Sequence, residues 1–271
     1  MLGDPELLEK GLTLIGFLVS IVFLGYAAYS DLKSREVSNR VWIIYAPMAC
    51  LLLLPRLLID TSLILVSLIS IAATTGLSLL LFYVGLFGGA DCKAFICLSI
   101  ALPTFPFPID LPLIHLNPVF PVTVLYNAYL FSISTLFLVA LRNIDWKFGK
   151  GKRFFNDIQE SSFSRRFLAV LTGYKTRLKD LRSKVYLYPM EEVVDTGGHR
   201  IRRLRLFTGA ESDRNQLVEN LESSLSDGEK EEVWVTPGIP LLLFVWIALV
   251  FNAFMGDVLL WAVFKIASAF L

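Results

Sequence analysis

The sequence predicts an all-α polytopic membrane protein of about six transmembrane helices, with a soluble cytoplasmic α+β insert. Hydrophobic residues make up 55% of the 271 positions and charged residues only 18%, with a mean hydropathy of +0.62. Several apolar runs are long enough to cross a bilayer, which takes about 20 helical residues. Charge is concentrated in residues 142–236, which hold 18 of the 25 Lys and Arg residues and 15 of the 24 Asp and Glu residues.

This contrast divides the chain into three parts. Residues 1–141 form a membrane part with spans one to five, 142–236 form the insert, and 237–271 form a final span with an apolar tail. A Pro-rich stretch leaves the path of 94–121 open, and Gly256 leaves the course of the tail open. Pro55 is expected to break the second span. The apolar runs predict helices over 12–29, 41–54 (continuing weakly to 59), 61–87, a short segment at 94–102, 122–141 and from 241 towards 255.

The insert combines strand and helix patterns. Residues 185–194 and 201–207 predict two strands around a turn at 195–198. A helix is expected from Ser212, which is a good N-cap residue. Asp195-Thr196-Gly197 has the letters of the triad in soluble aspartic proteases, but Asp and Gly between two strands are more typical of a turn.

The sequence gives no indication of a metal or cofactor site. His115 and His199 stand alone, without the spacing of metal ligands. The three cysteines lie in or near apolar segments and are interpreted as small hydrophobic residues rather than a disulfide or metal framework.

Basic residues next to the spans predict the orientation. They follow spans one, three and five, which lie on one side of the membrane if the spans alternate. By the positive-inside rule that side is cytoplasmic. The sequence therefore predicts a multi-pass plasma membrane protein. The residues in question are Lys33, Arg35, Arg40, Lys93, Arg142, Lys147, Lys150, Lys152 and Arg153.

Two acidic residues on that side are candidates for chemistry. Asp31 follows the first apolar run and Asp91 the third, and a carboxylate so close to hydrocarbon marks a functional site by default. Two carboxylates held close together share one proton, so one can act as a base and the other as an acid. Gly88, Gly89 and Ala90 are small enough to allow close backbone approach to such a site.

Other interpretations of these acids stay open. Asp31 and Asp91 could be ordinary interfacial acids paired with Lys33, Arg35 or Lys93, and Lys93 could equally be a snorkelling lysine. A transporter could use the two acids as proton or cation sites. Asp257, a third acid in an apolar context, is predicted to have a structural or interfacial role.

Three segments resemble the prepilin/preflagellin (archaellin) peptidases, which are GxGD aspartic membrane proteases. The stretch DLKSREVSN from Asp31 to Asn39 resembles their D-x-K-x-R-x-[VI]-x-N pattern. The stretch GGADCK, from Gly88 to Lys93, resembles their G-x-G-D-x-K motif, and WVTPGIP at 234–240 resembles a segment of the archaeal members. The likeness covers roughly 10–141 and 233–256 and leaves most of the insert without a counterpart.

The resemblance implies an aspartic endopeptidase with Asp31 and Asp91 as its catalytic pair. Lys33, Arg35 and Asn39 would support the first motif, and Lys93 the second. The implied partners are the lipid bilayer and archaellin or type IV pilin-like precursors with class III signal peptides, cut at the cytoplasmic membrane face. No metal, organic cofactor or nucleic acid is implied.

The sequence departs from the family pattern at two points, and a second class of enzyme would fit the same acids. Ala90 stands where the motif has its second Gly. The chain lacks the CxxC pairs of the bacterial members that also N-methylate their product, so only peptidase activity is expected. A general intramembrane aspartic protease that cuts within helices would use the same pair of acids.

Overall fold

The chain, in a computed structural model, is mostly helical and folds into two units. One unit is formed by Met1–Ser132 with Pro240–Leu271, and the other by Ile133–Ile239. The structure describes residues 5–107, 117–149, 151–155, 158, 161–196, 199–205, 211–224 and 231–270.

The first unit is a bundle of helices. Its described helices are α1 (Pro5–Ser34), α2 (Asn39–Ile59), α3 (Leu63–Tyr83), α4 (Gly89–Ala101), α5 (Phe120–Ser132), and two near the C-terminus, α10 (Leu241–Met255) and α11 (Val258–Phe270). Among the described residues, α1, α2, α3 and the helical run Phe120–Gly149 are long and apolar enough to cross a membrane. The pair α10 and α11, bent by 62°, could form a fifth crossing.

The short helix α4 lies at the centre of this bundle. It packs against α1, α2, α3 and α5, and its Phe95 and Leu98 side chains are fully buried. The antiparallel pair α1 and α2 is held by polar contacts inside the apolar packing. Tyr45 donates its hydroxyl hydrogen to Ser20 Oγ over 2.8 Å.

The second span is continuous, contrary to the break predicted at Pro55. Helix α2 contains Pro47 and Pro55 and ends only at Ile59. The turn after Pro55 is secured by Arg56, whose Nε and Nη2 atoms both donate to Glu9 Oε1 of α1 at 3.2 Å. This tertiary contact holds the last turn of α2 against α1, although Pro55 lacks the N–H of a helical residue.

Both candidate acids lie inside helices, whereas hydropathy had placed them in connectors. Helix α1 continues through Asp31 to Ser34, and α4 begins at Gly89, so Asp91 lies in its first turn. Hydropathy marks only the apolar part of a helix, and the hydrogen bonds of its last turn do not require apolar side chains.

The apolar tail forms a separate helix. Gly256 has φ of +90°, which lets the chain turn between α10 and α11. Asp257 is fully buried there, and its Oδ1 accepts hydrogen bonds from the Leu260 N–H and from Asn127 Nδ2. Its Oδ2 accepts one from the Tyr126 hydroxyl. These bonds confirm a structural role for Asp257 as the residue that caps α11.

The second unit combines helices with two small sheets. It opens with α6 (Ser134–Ile144) and a π-helical turn (Asp145–Gly149). The remaining elements, in chain order, are α7 (Phe163–Thr172), β1 (Tyr174–Arg177), α8 (Leu178–Ser183), β2 (Leu187–Pro189), β3 (Glu191–Thr196), β4 (His199–Leu204), α9 (Glu211–Ser224) and β5 (Glu232–Pro237). A three-stranded antiparallel sheet has the order β1-β5-β2, and β3 pairs antiparallel with β4.

The predicted hairpin forms between β3 and β4, but the strand predicted over 185–194 divides into β2, which pairs with β5, and β3. Asp195 and Thr196 belong to β3, where they pair with Arg200 and His199 of β4. Gly197, Gly198 and His115 lie outside the described residues. Helix α9 begins at Glu211, so Ser212 lies within it instead of capping it.

A buried carboxylate connects the two sheets. Glu191 of β3 is fully buried, its Oε2 accepts hydrogen bonds from Arg202 Nη2 and Nε at 2.6 and 3.1 Å, and its Oε1 accepts one from the Trp234 N–H at 2.7 Å. Burial raises the pKa of Glu191, and the Arg202 guanidinium opposes that rise. The two sheets therefore depend on an enclosed ion pair.

Replacing Arg202 tests this contact. We expect Arg202→Gln to lower the free energy of unfolding by about 3 kcal/mol, because it removes the hydrogen-bonded cation from a buried carboxylate and leaves only the weaker attraction of Lys175. The loss should shrink as the pH falls, since protonation of Glu191, whose pKa is raised in the folded state, removes the poorly compensated charge. Thermal unfolding of the detergent-solubilised protein, followed by tryptophan fluorescence, measures both effects.

Arg203→Gln is the matched control. Arg203 lies on the same strand and pairs with Glu192 at 2.7 Å, but its side chain is 43% exposed against 13% for Arg202. Its replacement should cost less than about 1 kcal/mol. Equal losses in the two variants would contradict the importance of the buried pair.

Candidate active site

Asp31 lies in the last turn of α1, where the chain reverses towards α2. The next turn of the chain is closed by Arg35, which has φ of +58° and donates its N–H to the Asp31 carbonyl oxygen at 3.0 Å. Ser30 Oγ donates to the Glu36 carbonyl oxygen at 2.7 Å and fixes the reversal. The Asp31 side chain is 17% exposed, and its Oδ2 lies 4.0 Å from Arg35 Nη1. The Arg35 guanidinium thus faces the Asp31 carboxylate.

Asp91 lies in the first turn of α4 and is held by the residue that caps this helix. The Gly88 N–H donates to Asp91 Oδ2 at 2.9 Å. A Cβ atom at Gly88 would lie 3.2 Å from that same oxygen, which is tighter than ordinary van der Waals contact. Glycine therefore allows the carboxylate to fold back over the helix N-terminus.

One hydrogen bond joins the two motifs. Lys93 Nζ of α4 donates to Asn39 Oδ1 at 2.7 Å, and Asn39 is the first residue of α2. Ser38 caps α2 by accepting from the Arg40 N–H at 3.4 Å. The segment after Asp31 is thus tied to the helix turn that carries Asp91.

The helices bring the two carboxylates to the same end of the bundle. Helices α1 and α4 are antiparallel: Gly16, near the middle of α1, packs closely on the carbonyl oxygen of Ala101, the last residue of α4. At the near ends, Asp31 and Asp91 interact electrostatically. The structure therefore places together the two acids that are 60 positions apart in the sequence.

The environment of Asp91 favours its protonated form. Asp91 lies outside the helices that are long enough to cross a membrane. Burial raises the pKa of its carboxyl to about 6, the Gly88 N–H opposes this rise, and the charge of Asp31 adds to it. The site thus offers one carboxylate beside a cation and one that holds a proton more readily than usual.

Other residues of the two motifs lie around this pair or away from it. Lys33 is exposed, with its Nζ 5.9 Å from the centre of the Tyr29 ring. At Gly89 an added Cβ atom would meet only Phe82, at 3.9 Å. Ala90 is half-buried and packs against the core of the bundle. The structure shows close packing on the Asp91 carboxylate only at Gly88, among these three small residues.

Sequence reasoning did not find Tyr129. This α5 residue interacts electrostatically with Asp91, and its ring centre lies 6.4 Å from that of Phe87, the residue before Gly88. Phe87 is buried and also stacks on Phe95 at 5.6 Å. A single tyrosine within an apolar run has no sequence signal, because only the packing of α5 brings it to the site.

The arrangement suits acid–base chemistry by two carboxylates. Among the residues that the structure describes, no three His, Cys, Asp or Glu side chains come together in a group that could hold a metal ion. Two neighbouring carboxylates with one proton between them can activate water and protonate a carbonyl oxygen in the same step.

A helical membrane bundle with such an acid pair is the architecture of a membrane-embedded peptidase, and comparison with known proteins gives its family. The model of the type IV leader peptidase family matches residues 18–141, and the model of the archaeal peptidase A24 C-terminus, type II, matches residues 165–258. The chain belongs to the type IV leader peptidase family, as its motifs predicted. The second match extends through most of the insert, so the expectation that the insert had no counterpart in the family was wrong.

Curated relatives agree over nearly the whole chain. A preflagellin peptidase of Methanocaldococcus jannaschii is 27% identical over 251 residues, which cover 90% of this chain and 95% of the relative. Preflagellin peptidases of Methanococcus maripaludis and Methanococcus voltae are 24% and 23% identical, over 90% and 91% of this chain and 96% and 97% of the relatives.

The contact at Gly88 gives a matched pair of variants. We expect Gly88→Ala to lower the peptidase kcat by about tenfold or more, because the new methyl group displaces the Asp91 carboxylate by a few tenths of an ångström. Gly89→Ala adds the same methyl group where the nearest atom is 3.9 Å away and should leave kcat near the parental value. Steady-state cleavage by the two variants, at equal folded protein, measures the difference. Equal rates would show that the packing on Asp91 does not matter.

Proposed function

We propose that this peptidase removes the short basic leader peptide from archaellin or type IV pilin-like precursors, with Asp31 and Asp91 as its catalytic pair. The observation that carries the proposal is the meeting of these two carboxylates at one end of the helix bundle. Family membership and the names of the relatives support the reaction and the class of substrate.

The environments of the two acids assign their roles. Asp31, beside Arg35, is the base that takes a proton from water while the water oxygen attacks the scissile carbonyl carbon. Asp91, which holds its proton more readily, gives it to the carbonyl oxygen. When the tetrahedral intermediate collapses, the C–N bond breaks, Asp31 returns its proton to the leaving amine, and Asp91 recovers a proton from the diol. Both acids are then ready for another turnover.

The site lies at the cytoplasmic membrane face of a bundle of about six membrane helices. Basic residues beside α1 and α4 and after α5 support this orientation. The 13 residues of α4 span about 20 Å, less than the hydrocarbon core, and the charged residues Asp91 and Lys93 near its start place that end at the interface. The insert then lies on the same side. Such a site meets a class III signal peptide where its basic leader joins its hydrophobic helix.

The substrate's hydrophobic helix has a matching surface beside Asp91. Tyr83, Val84 and Leu86 lie just before the Gly88 cap and are strongly exposed. An apolar helix that enters from the bilayer can pack on these side chains and present its polar leader to the acid pair.

Substitution of either acid tests the catalytic assignment. We expect Asp31→Asn and Asp91→Asn each to lower the cleavage rate by about 10³-fold, since each removes a proton-transfer group while keeping side-chain size. Asp257→Asn is the control, because it replaces a third buried acid whose contacts are structural, and it should keep the parental rate. Gel-shift and mass-spectrometric assays of an archaellin precursor in detergent measure the product.

The same assay separates the rival functions. Cleavage at the junction between the basic leader and the apolar helix supports a leader peptidase, whereas cuts inside the helix would indicate a general intramembrane protease. Parental cleavage by both Asn variants would overturn the aspartic mechanism. Proton uptake by proteoliposomes that disappears in the Asn variants, with no cleavage of any precursor, would indicate a transporter.

The shared proton predicts a bell-shaped pH profile. The rate should fall as the pH rises through about 6, because Asp91 loses the proton that it must donate. It should also fall at low pH as Asp31 becomes protonated and can no longer act as a base. The measurement is kcat/KM across the range in which the protein stays folded. A rate that is flat across the alkaline side would contradict the shared-proton mechanism.

A further inference from the structure

The unit formed by Ile133–Ile239 exposes apolar side chains that its own core does not use. Phe163 is 84% exposed, Phe148 is 74% exposed and Phe167 is 60% exposed, although each belongs to a helical segment. We call their surface the α6–α7 apolar surface, formed by Phe137, Leu141, Phe148, Phe163, Phe167 and Leu171. Large exposed apolar patches of this kind mark interaction sites.

Hydrogen bonds hold the two helices of this surface together. Asn143 of α6 is buried, and its Nδ2 donates to the carbonyl oxygens of Val170 and Gly173, each at 2.8 Å. These bonds fix the end of α7 against α6. Ser162 caps the other end of α7 by accepting from the Arg165 N–H at 3.4 Å.

The exposed apolar residues of α7 follow the helical repeat. Phe163, Phe167 and Leu171 recur every four residues and therefore share one side of the helix, whereas Ala169 is fully buried on another side. A cavity of about 260 Å³ lies between α6 and α7, with Ile144 and Phe167 among its lining residues. The apolar side of α7 thus stays open and continues into an apolar hollow.

Positive charge surrounds this surface. Residues 142–172 contain seven Lys and Arg residues against three Asp and Glu residues. Lys147, Arg153 and Arg165 are exposed there. One cation of this segment, Lys152, pairs with Glu232, as Arg202 and Arg203 pair with Glu191 and Glu192 elsewhere in the unit. Exposed aromatic residues next to exposed cations are typical of a helix that lies in the interface of an anionic leaflet.

The surface is also continuous with a membrane helix. Helix α6 is the second part of the helical run Phe120–Gly149, which is long and apolar enough to cross a bilayer. The residues Phe137, Leu141 and Phe148 of the α6–α7 apolar surface lie in this run. The unit therefore begins within a candidate span, and the chain leaves that span at Gly149, before α7.

We propose that the α6–α7 apolar surface lies in the membrane interface, with Phe163, Phe167 and Leu171 among the upper acyl chains and the neighbouring cations at anionic lipid headgroups. This contact makes α7 a second membrane attachment of the unit. The inference rests on the placement of the helical run Phe120–Gly149 in the bilayer and is independent of which precursor is cleaved.

Spin labels on the full-length protein test the proposal. Cys50, the exposed cysteine among the three, is replaced by Ser, while Cys92 and Cys97 are buried. Single cysteines are then introduced as Phe163→Cys, Phe167→Cys and, as the control, Val185→Cys. Val185 is an apolar residue of the same unit that is 50% exposed but lies outside the α6–α7 apolar surface. After nitroxide labelling, the protein is reconstituted in nanodiscs of phosphatidylcholine with phosphatidylglycerol.

The readout is the ratio of oxygen accessibility to nickel-chelate accessibility, which rises inside the acyl-chain region. We expect this ratio at positions 163 and 167 to exceed that at position 185 by about fivefold or more. Nanodiscs of phosphatidylcholine alone should give a smaller difference, because the headgroup attraction is lost. Equal ratios at all three positions would overturn the proposal, and an unchanged difference in phosphatidylcholine would overturn its headgroup part.

A second copy of the chain is the alternative occupant of this surface. Dipolar EPR between labels at position 163 detects that arrangement in the same samples. A defined short distance between labels, together with low oxygen accessibility, would show that a protein interface covers the surface and would overturn the lipid contact. We expect no defined short distance between labels, whether the nanodiscs hold one copy of the protein or two.

Discussion

Two carboxylates share one proton only while the backbone holds them together against their mutual repulsion. In this protein the constraint is met at the ends of three helices: α1 carries Asp31, α4 carries Asp91, and α2 connects them through Asn39. The bond from Lys93 to Asn39 fixes α4 to the start of α2, and the Gly88 N–H holds the Asp91 carboxylate from its other side. Apolar packing of the helices thus brings the two acids to the same end of the bundle. The motif residues at these helix ends are small or polar because they approach and hydrogen-bond to the acids or to each other.

The sequence predicted the acids but not their local structure. Motif spacing singled out Asp31 and Asp91, and apolar runs predicted α2, α3 and α10 within about four residues, but α1 only in its apolar middle, because side chains that face lipid or the core must be apolar. Hydropathy misplaced the helix ends at both acids, since a helix can continue into polar sequence. It also predicted a break at Pro55, where the contact between Arg56 and Glu9 maintains the helix. Local rules failed where a tertiary contact decides the backbone.

Residues that only packing brings together were beyond the reach of the sequence. Tyr126 and Asp257 are 131 positions apart, and the N–H of Trp234 bonds to Glu191 across 43 positions. Tyr129 reaches Asp91 only because α5 packs beside α4. No periodicity or composition encodes such pairs. A structural role for Asp257 could be predicted, because a buried acid in an apolar context needs hydrogen-bond partners. Its actual partners could not be predicted.

Composition also did not reveal that the insert exposes apolar side chains. Its high charge content predicted a soluble unit, yet its core is complete without the phenylalanines of α7: Val233, Val235 and Leu221 fill one cluster, and Trp234 with Met190 fills another. An apolar side chain that a complete core leaves outside must find another apolar environment or remain in water at a cost of about 2 kcal/mol each. Because α6 is part of a candidate span, the bilayer is the apolar environment that the proposal above assigns to these side chains. In that proposal the charge of 142–172 and its aromatic residues belong to one surface, a local feature that the average composition of the insert does not reveal.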